Sequence, residues 1–180
     1  GVNVFSDKGD LVMNSRIDTV SSNPDNKSVA QVEYETLLDN GKTSFYYVAL
    51  HEIGHVLGIG EITFKNIITQ TGQPMHSFVT NDGTTKFYYT GTNALREYRN
   101  YFDNQNLVGI PLEDAGGAST AGSHIEEHGY EINGVFHPGM DKELMTGYLD
   151  TDSMSLSRIT LGLLEDIGFG VDYSKSDFFM

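Results

Sequence analysis

One short string constrains this chain more than any other: His51-Glu52-Ile53-Gly54-His55, followed by Val56-Leu57-Gly58 and entered through the apolar run 45–50. Apolar residues leading into a glycine stop predict a helix here, with Thr43 or Ser44 as its cap and an end near Leu57. On a helix, residues four apart stand one turn from each other on the same face, so both imidazoles can reach one metal ion. Glu52 is turned about 100° from His51 and is poorly placed as a third ligand. It is better placed to face a water on the metal's open side, as in the HExxH arrangement of zinc with a carboxylate base. Gly58 is where such a helix must turn, since glycine takes a left-handed conformation cheaply.

Two ligands do not make a site. Catalytic zinc usually has three protein ligands and one open position. The chain has no cysteine, which excludes disulfides and thiolate ligation and leaves His, Asp and Glu as donors. The residues by themselves leave the third ligand open among Glu61, His76, His124, His128, His137 and another carboxylate. Glu61 holds the compact position, three residues beyond Gly58, and a solvated acid at a helix end is the blander account of it.

Charge and length narrow the rest. The formal charge is −14, from 25 acidic and 11 basic residues, which disfavours nucleic acid and anionic membrane surfaces as partners. No apolar run approaches the length of a membrane span. At 180 residues and 38% hydrophobic, one domain with a substantial core is expected, and no repeat or linker divides it. The acidic balance is compatible with a secreted or cell-surface protein and with Ca2+ sites, although Asp7, Asp10, Asp82 and Asp150 read only as acids in loops. The chain begins at Gly1 rather than methionine, as a processed product would.

Along the chain, residues 1–5 and 10–20 read as short strands and residues 28–38 as a weak helix. Lys86-Phe87-Tyr88-Tyr89 is β-like, and Thr92 is expected to cap a helix over 93–102. Residues 107–112 read as extended. The small-residue run 115–122 leads into Ser123-His124, and Ser155 or Ser157 caps a last helix stopped by Gly168.

Four blocks in order carry a resemblance: HEIGHVLGIG, then VGIPLEDAGGASTAGSH, then KELMTGYLD, then SLSRITLGLLEDIGFGVDYSKSD. Together they resemble the leishmanolysin family of metzincin zinc metalloproteases, small bacterial-type members especially, from about Ala49 to the C-terminus. The resemblance implies an α+β metzincin fold in a single catalytic domain. Its upper half, about 1–60, has a twisted mixed sheet and the active-site helix. An insertion covers about 61–123, and a less regular lower half, about 124–180, ends in a helix.

The resemblance also implies His124 as the third zinc ligand, Met145 as the methionine in the turn under the metal, and Glu52 as general base and acid of an endopeptidase. Ile125 follows His124 where the family commonly has an aromatic residue, and the path from there to Met145 is longer than usual. His128 therefore stays a lesser alternative. Tyr148, just beyond Met145, has a possible catalytic part that its spacing does not support. Glu113 and Asp114 could brace the glycine-rich run, with surface acids the preferred account. The family's latency cysteine has no counterpart here, which reads as a mature catalytic domain or one that never used that device. The substrate expected is a protein or peptide, extended along an edge strand such as that around residues 11–20. The alternative is a catalytically weak metzincin-fold binding or structural module, which the intact Glu52 argues against.

Overall fold

The computed structural model describes Leu38 and residues 41–68, 72–148 and 154–178. The strands expected over 1–5 and 10–20, and all but Leu38 of the helix expected over 28–38, lie outside the described residues. The first described helix, α1, spans Ser44–Val56. Thr43 caps it, its hydroxyl oxygen accepting from the Tyr46 amide at 3.2 Å. Leu57 closes it, and Gly58 at φ 113° turns the chain away. Ile59 then enters the core, and a short helix α2, Glu61–Asn66, follows.

Three strands come next in space: β1 (Met75–Val79), β2 (Thr85–Tyr89) and β3 (Ile110–Leu112), antiparallel in the order β1-β2-β3. Asp82 closes the β1–β2 turn, its Oδ1 accepting from the Thr84 amide at 3.0 Å and from the Thr80 hydroxyl. That is a turn-forming role, in keeping with the reading of Asp82 as an acid in a loop. Pro111 sits in β3 opposite Tyr88.

Between β2 and β3 lies α3, Thr92–Tyr101. Thr92 is not its cap, contrary to expectation. Gly91 stands at that position and its side has no room, because an added Cβ would come within 2.3 Å of both Tyr89 Oη and Asp166 Oδ2. Asp166 caps the helix from a distance instead, its two oxygens accepting from the Asn93 and Ala94 amides at 2.8 and 3.1 Å. A remote carboxylate thus does the work that sequence rules give to the neighbouring threonine.

A hairpin follows, β4 (Gly129–Ile132) with β5 (Val135–Pro138), turned by Asn133 and Gly134 at φ 53° and 77°. Asn-Gly is the strongest short hairpin signal a sequence carries. The last helix, α4 (Arg158–Asp166), is capped by Ser157, whose hydroxyl accepts from the Ile159 and Thr160 amides. A single turn of 3₁₀ helix, Tyr173–Lys175, follows it. Helix α4 crosses α3 where Gly162 meets Ala94; a Cβ on Gly162 would lie 2.6 Å from Ala94 Cα.

The described residues are therefore α+β, with small antiparallel sheets and short helices; the mixed sheet expected in the upper half, about 1–60, falls largely outside the described residues. One apolar cluster joins them, from Tyr47 and Ile59 through Tyr89, Ala94, Tyr98 and Leu112 to Ile125, Met145 and Leu163. No described helix is long and apolar enough to cross a membrane.

Candidate metal centre

Helix α1 presents His51 and His55 on one face, as their spacing requires, and His124 arrives opposite them. The three Nε2 atoms lie 3.0 to 3.2 Å apart. Each Nδ1 meets a backbone carbonyl: His51 that of Leu144 at 2.6 Å, His55 that of Ile59 at 2.7 Å, and His124 that of Thr120 at 3.1 Å. A carbonyl can only accept, so these contacts assign the proton of each neutral ring to Nδ1. Three lone pairs then face one another with no hydrogen among them, an arrangement that a bound cation relieves. The separations are close to the roughly 3.3 Å edge of a tetrahedral site with Zn–N bonds of about 2.0–2.1 Å. The donor set fits zinc.

The surroundings favour the neutral rings. Burial pushes the His51 pKa down to about 3, assisted by His55, and that of His124 down to about 4; burial also lowers His55. Glu52 is half-buried, and desolvation raises the pKa of its carboxyl.

His124 owes its place to a backbone ladder. The Glu113 amide donates to the His124 carbonyl at 2.9 Å, the Ile125 amide to Met145 at 2.9 Å, and the Glu126 amide to Pro111 at 3.1 Å. The His124 segment is thereby held between the end of β3 and the turn at Met145. The glycine-rich run before it is a chain of turns, with Gly116, Gly117 and Gly122 all at positive φ.

Met145 is fully buried beneath α1, and a Cβ added at Gly54 would lie 2.6 Å from its sulfur. The glycine inside the histidine motif is thus the space the thioether fills. Under Met145 lies Glu143, also without exposure. Its carboxylate accepts from the Met145 amide and from the Ser157 and Thr160 hydroxyls, tying the turn to the N-terminus of α4. Sequence reasoning missed Glu143, because an acid in a run of mixed residues carries no mark of burial.

The other sequence candidates stand elsewhere. Glu61 pairs with Lys65 along α2. His76 stacks on Tyr88 and meets Thr90 at 3.2 Å. His137 is buried in β5, where it donates from Nδ1 to the Val135 carbonyl and accepts the Val108 amide at 2.9 Å. The His128 side chain is exposed, in a group with Glu126 and Glu127 rather than with the triad. The Tyr148 side chain is also exposed, and its amide donates to Glu127. Glu113 is not the surface acid expected. It is buried, accepts the Ala115 amide at 2.8 Å and braces the start of the glycine-rich run, while Asp114 pairs with Lys86.

Three imidazoles, two half-buried on a helix and one buried on a remote ladder, converge on one point and form a group that could hold a metal ion. The profile of the leishmanolysin family matches residues 13–180, and the chain belongs to that family of zinc-dependent metallopeptidases. It is also 42% identical over 84 residues to a leishmanolysin-like peptidase of Drosophila pseudoobscura pseudoobscura. That match covers 46% of this chain but 11% of the much longer relative.

Proposed function

We propose that this domain is a zinc endopeptidase of the metzincin type, with His51, His55 and His124 as ligands. The observation that carries the reading is the convergence of three Nε2 atoms whose tautomers are fixed by backbone carbonyls. Bound there, zinc supplies a Lewis acid for the peptide carbonyl and a lowered pKa for water. The Glu52 carboxylate takes a proton from the attacking water and hands it to the departing amine. Leu144, Ile59 and Thr120 keep the three rings oriented through the reaction. Met145, pressed against Gly54, forms the floor that fixes α1 relative to the His124 ladder. The substrate is a protein or peptide in extended form, and the setting is extracellular or at the cell surface. A cleavage-deficient binding module would keep the histidines but have no use for Glu52.

Replacing that residue tests the assignment. Glu52→Ala is expected to retain zinc, read by metal analysis, while casein or gelatin cleavage falls by about 10²- to 10⁴-fold. Cleavage at the parent rate would sink the mechanism. His124→Ala is expected to lose zinc, and undiminished zinc affinity would move the third ligand elsewhere.

A further inference from the structure

Four carboxylates gather around the ends of the segment that carries His124: Glu113 and Asp114 at the end of β3, and Glu126 and Glu127 just past His124. Acidic clusters on surfaces are common, but this one is not a surface feature. Glu113 is 3% exposed and Glu126 8%. Among the described residues, the only buried side-chain oxygen with no hydrogen-bond partner is Glu126 Oε2. A carboxylate oxygen stripped of water and given no donor is costly, and its persistence points to a ligand.

The geometry supplies the rest. Glu113, Asp114 and Glu126 each offer an oxygen, and these lie within 4.8 Å of one another, inside the roughly 5 Å diameter of a calcium coordination sphere. The protein fixes each carboxylate: Glu113 Oε1 accepts the Ala115 amide and Glu113 also shares a hydrogen bond with the Glu127 carboxyl, Asp114 Oδ2 accepts from Lys86, and Glu126 Oε1 accepts the His128 amide, leaving Glu126 Oε2 without a donor. Those contacts orient the groups. The Lys86 ammonium pairs with Asp114, and it also lies 4.4 Å over the Tyr130 ring.

We propose that Glu113, Asp114 and Glu126 form a second cation site, separate from the histidine triad, that takes Ca2+. The trio is all oxygen, which suits a hard cation and disfavours zinc. Because Glu126 follows His124 by two residues and Glu113 pairs with the His124 backbone, a bound cation clamps the third-histidine segment onto β3. It therefore stabilises the ladder without touching the triad.

The test uses the whole chain with zinc kept saturating and calcium removed by dialysis, titrated calorimetrically with CaCl2 and followed by thermal unfolding. One calcium per chain and a raised Tm are expected. Glu126→Gln and Asp114→Asn should each weaken calcium binding about tenfold or more. Asp141→Asn, an exposed acid elsewhere, should not. No heat and no Tm shift in the parent protein, at concentrations about tenfold above the millimolar range of the weakest protein sites, overturns the proposal whatever the variants do. So does calcium binding that His51→Ala abolishes, since that would put the ion in the triad. Equal affinity for MgCl2 overturns the assignment to calcium.

Discussion

At the scale of single residues, the site is held by contacts that make small changes expensive. Gly54 carries no side chain because the Met145 sulfur occupies the place of its Cβ. Gly54→Ala is expected to cost about 1–3 kcal/mol by overpacking, read by urea unfolding, and Met145→Ala in the same chain should recover part of it. A simple sum of the two single costs would show that they are not in contact. The histidines give a pH prediction for the metal-free protein. An unfolded chain protonates its histidines near pH 6.5, whereas the folded protein resists until about 3 at His51 and about 4 at His124. Between those values the unfolded state binds more protons, so the histidine contribution to stability is intact above about pH 6.5 and is lost as pH falls toward 4. Urea midpoints of the metal-free parent should fall through that window more steeply than those of His51→Leu. Identical slopes would mean that His51 titrates normally.

At the scale of elements, the sequence was most legible where a segment carries its own instructions. Helix α1 begins at its threonine and turns at its glycine as local rules predict, and α4 begins at Ser157 for the same reason. Helix α3 went the other way. Its cap is Asp166, far along the chain, and no local pattern can announce a partner that arrives by folding. Asp166→Ala is therefore expected to destabilise the protein by about 1–2 kcal/mol, the range for a lost helix cap, while Thr92→Ala changes little. Chemical denaturation of both variants decides this, and a larger cost at Thr92 would restore the local reading.

At the scale of the whole molecule, the candidate metal centre sits where three separated parts of the chain meet: α1, the His124 ladder and the Met145 turn. Zinc binding the folded state alone adds stability by mass action, so chelation should lower Tm appreciably, by more than in His124→Ala, which lacks the site to begin with. Glu143 couples that junction to α4. Glu143→Ala leaves the Met145 amide and two buried hydroxyls without their acceptor, and a cost of several kcal/mol is expected at about 1–3 kcal/mol for each unsatisfied group. A loss under 1 kcal/mol in urea unfolding would mean that the turn is held by packing alone.

What the sequence determined by itself was local chemistry: two histidines one turn apart, a carboxylate beside them, a glycine to end the helix, and no thiol to compete. These follow from helix periodicity and residue type, which need no tertiary context. The family resemblance named His124, but spacing could not single it out from the other candidates. Only the tertiary structure gathers the three Nε2 atoms, through pairings of Glu113 with His124 and of Ile125 with Met145 that join positions far apart in the chain. It also decided which acids are buried. Glu113, Glu126 and Glu143 look no different from solvated glutamates in the sequence, because burial belongs to the packing around a residue and not to the residue.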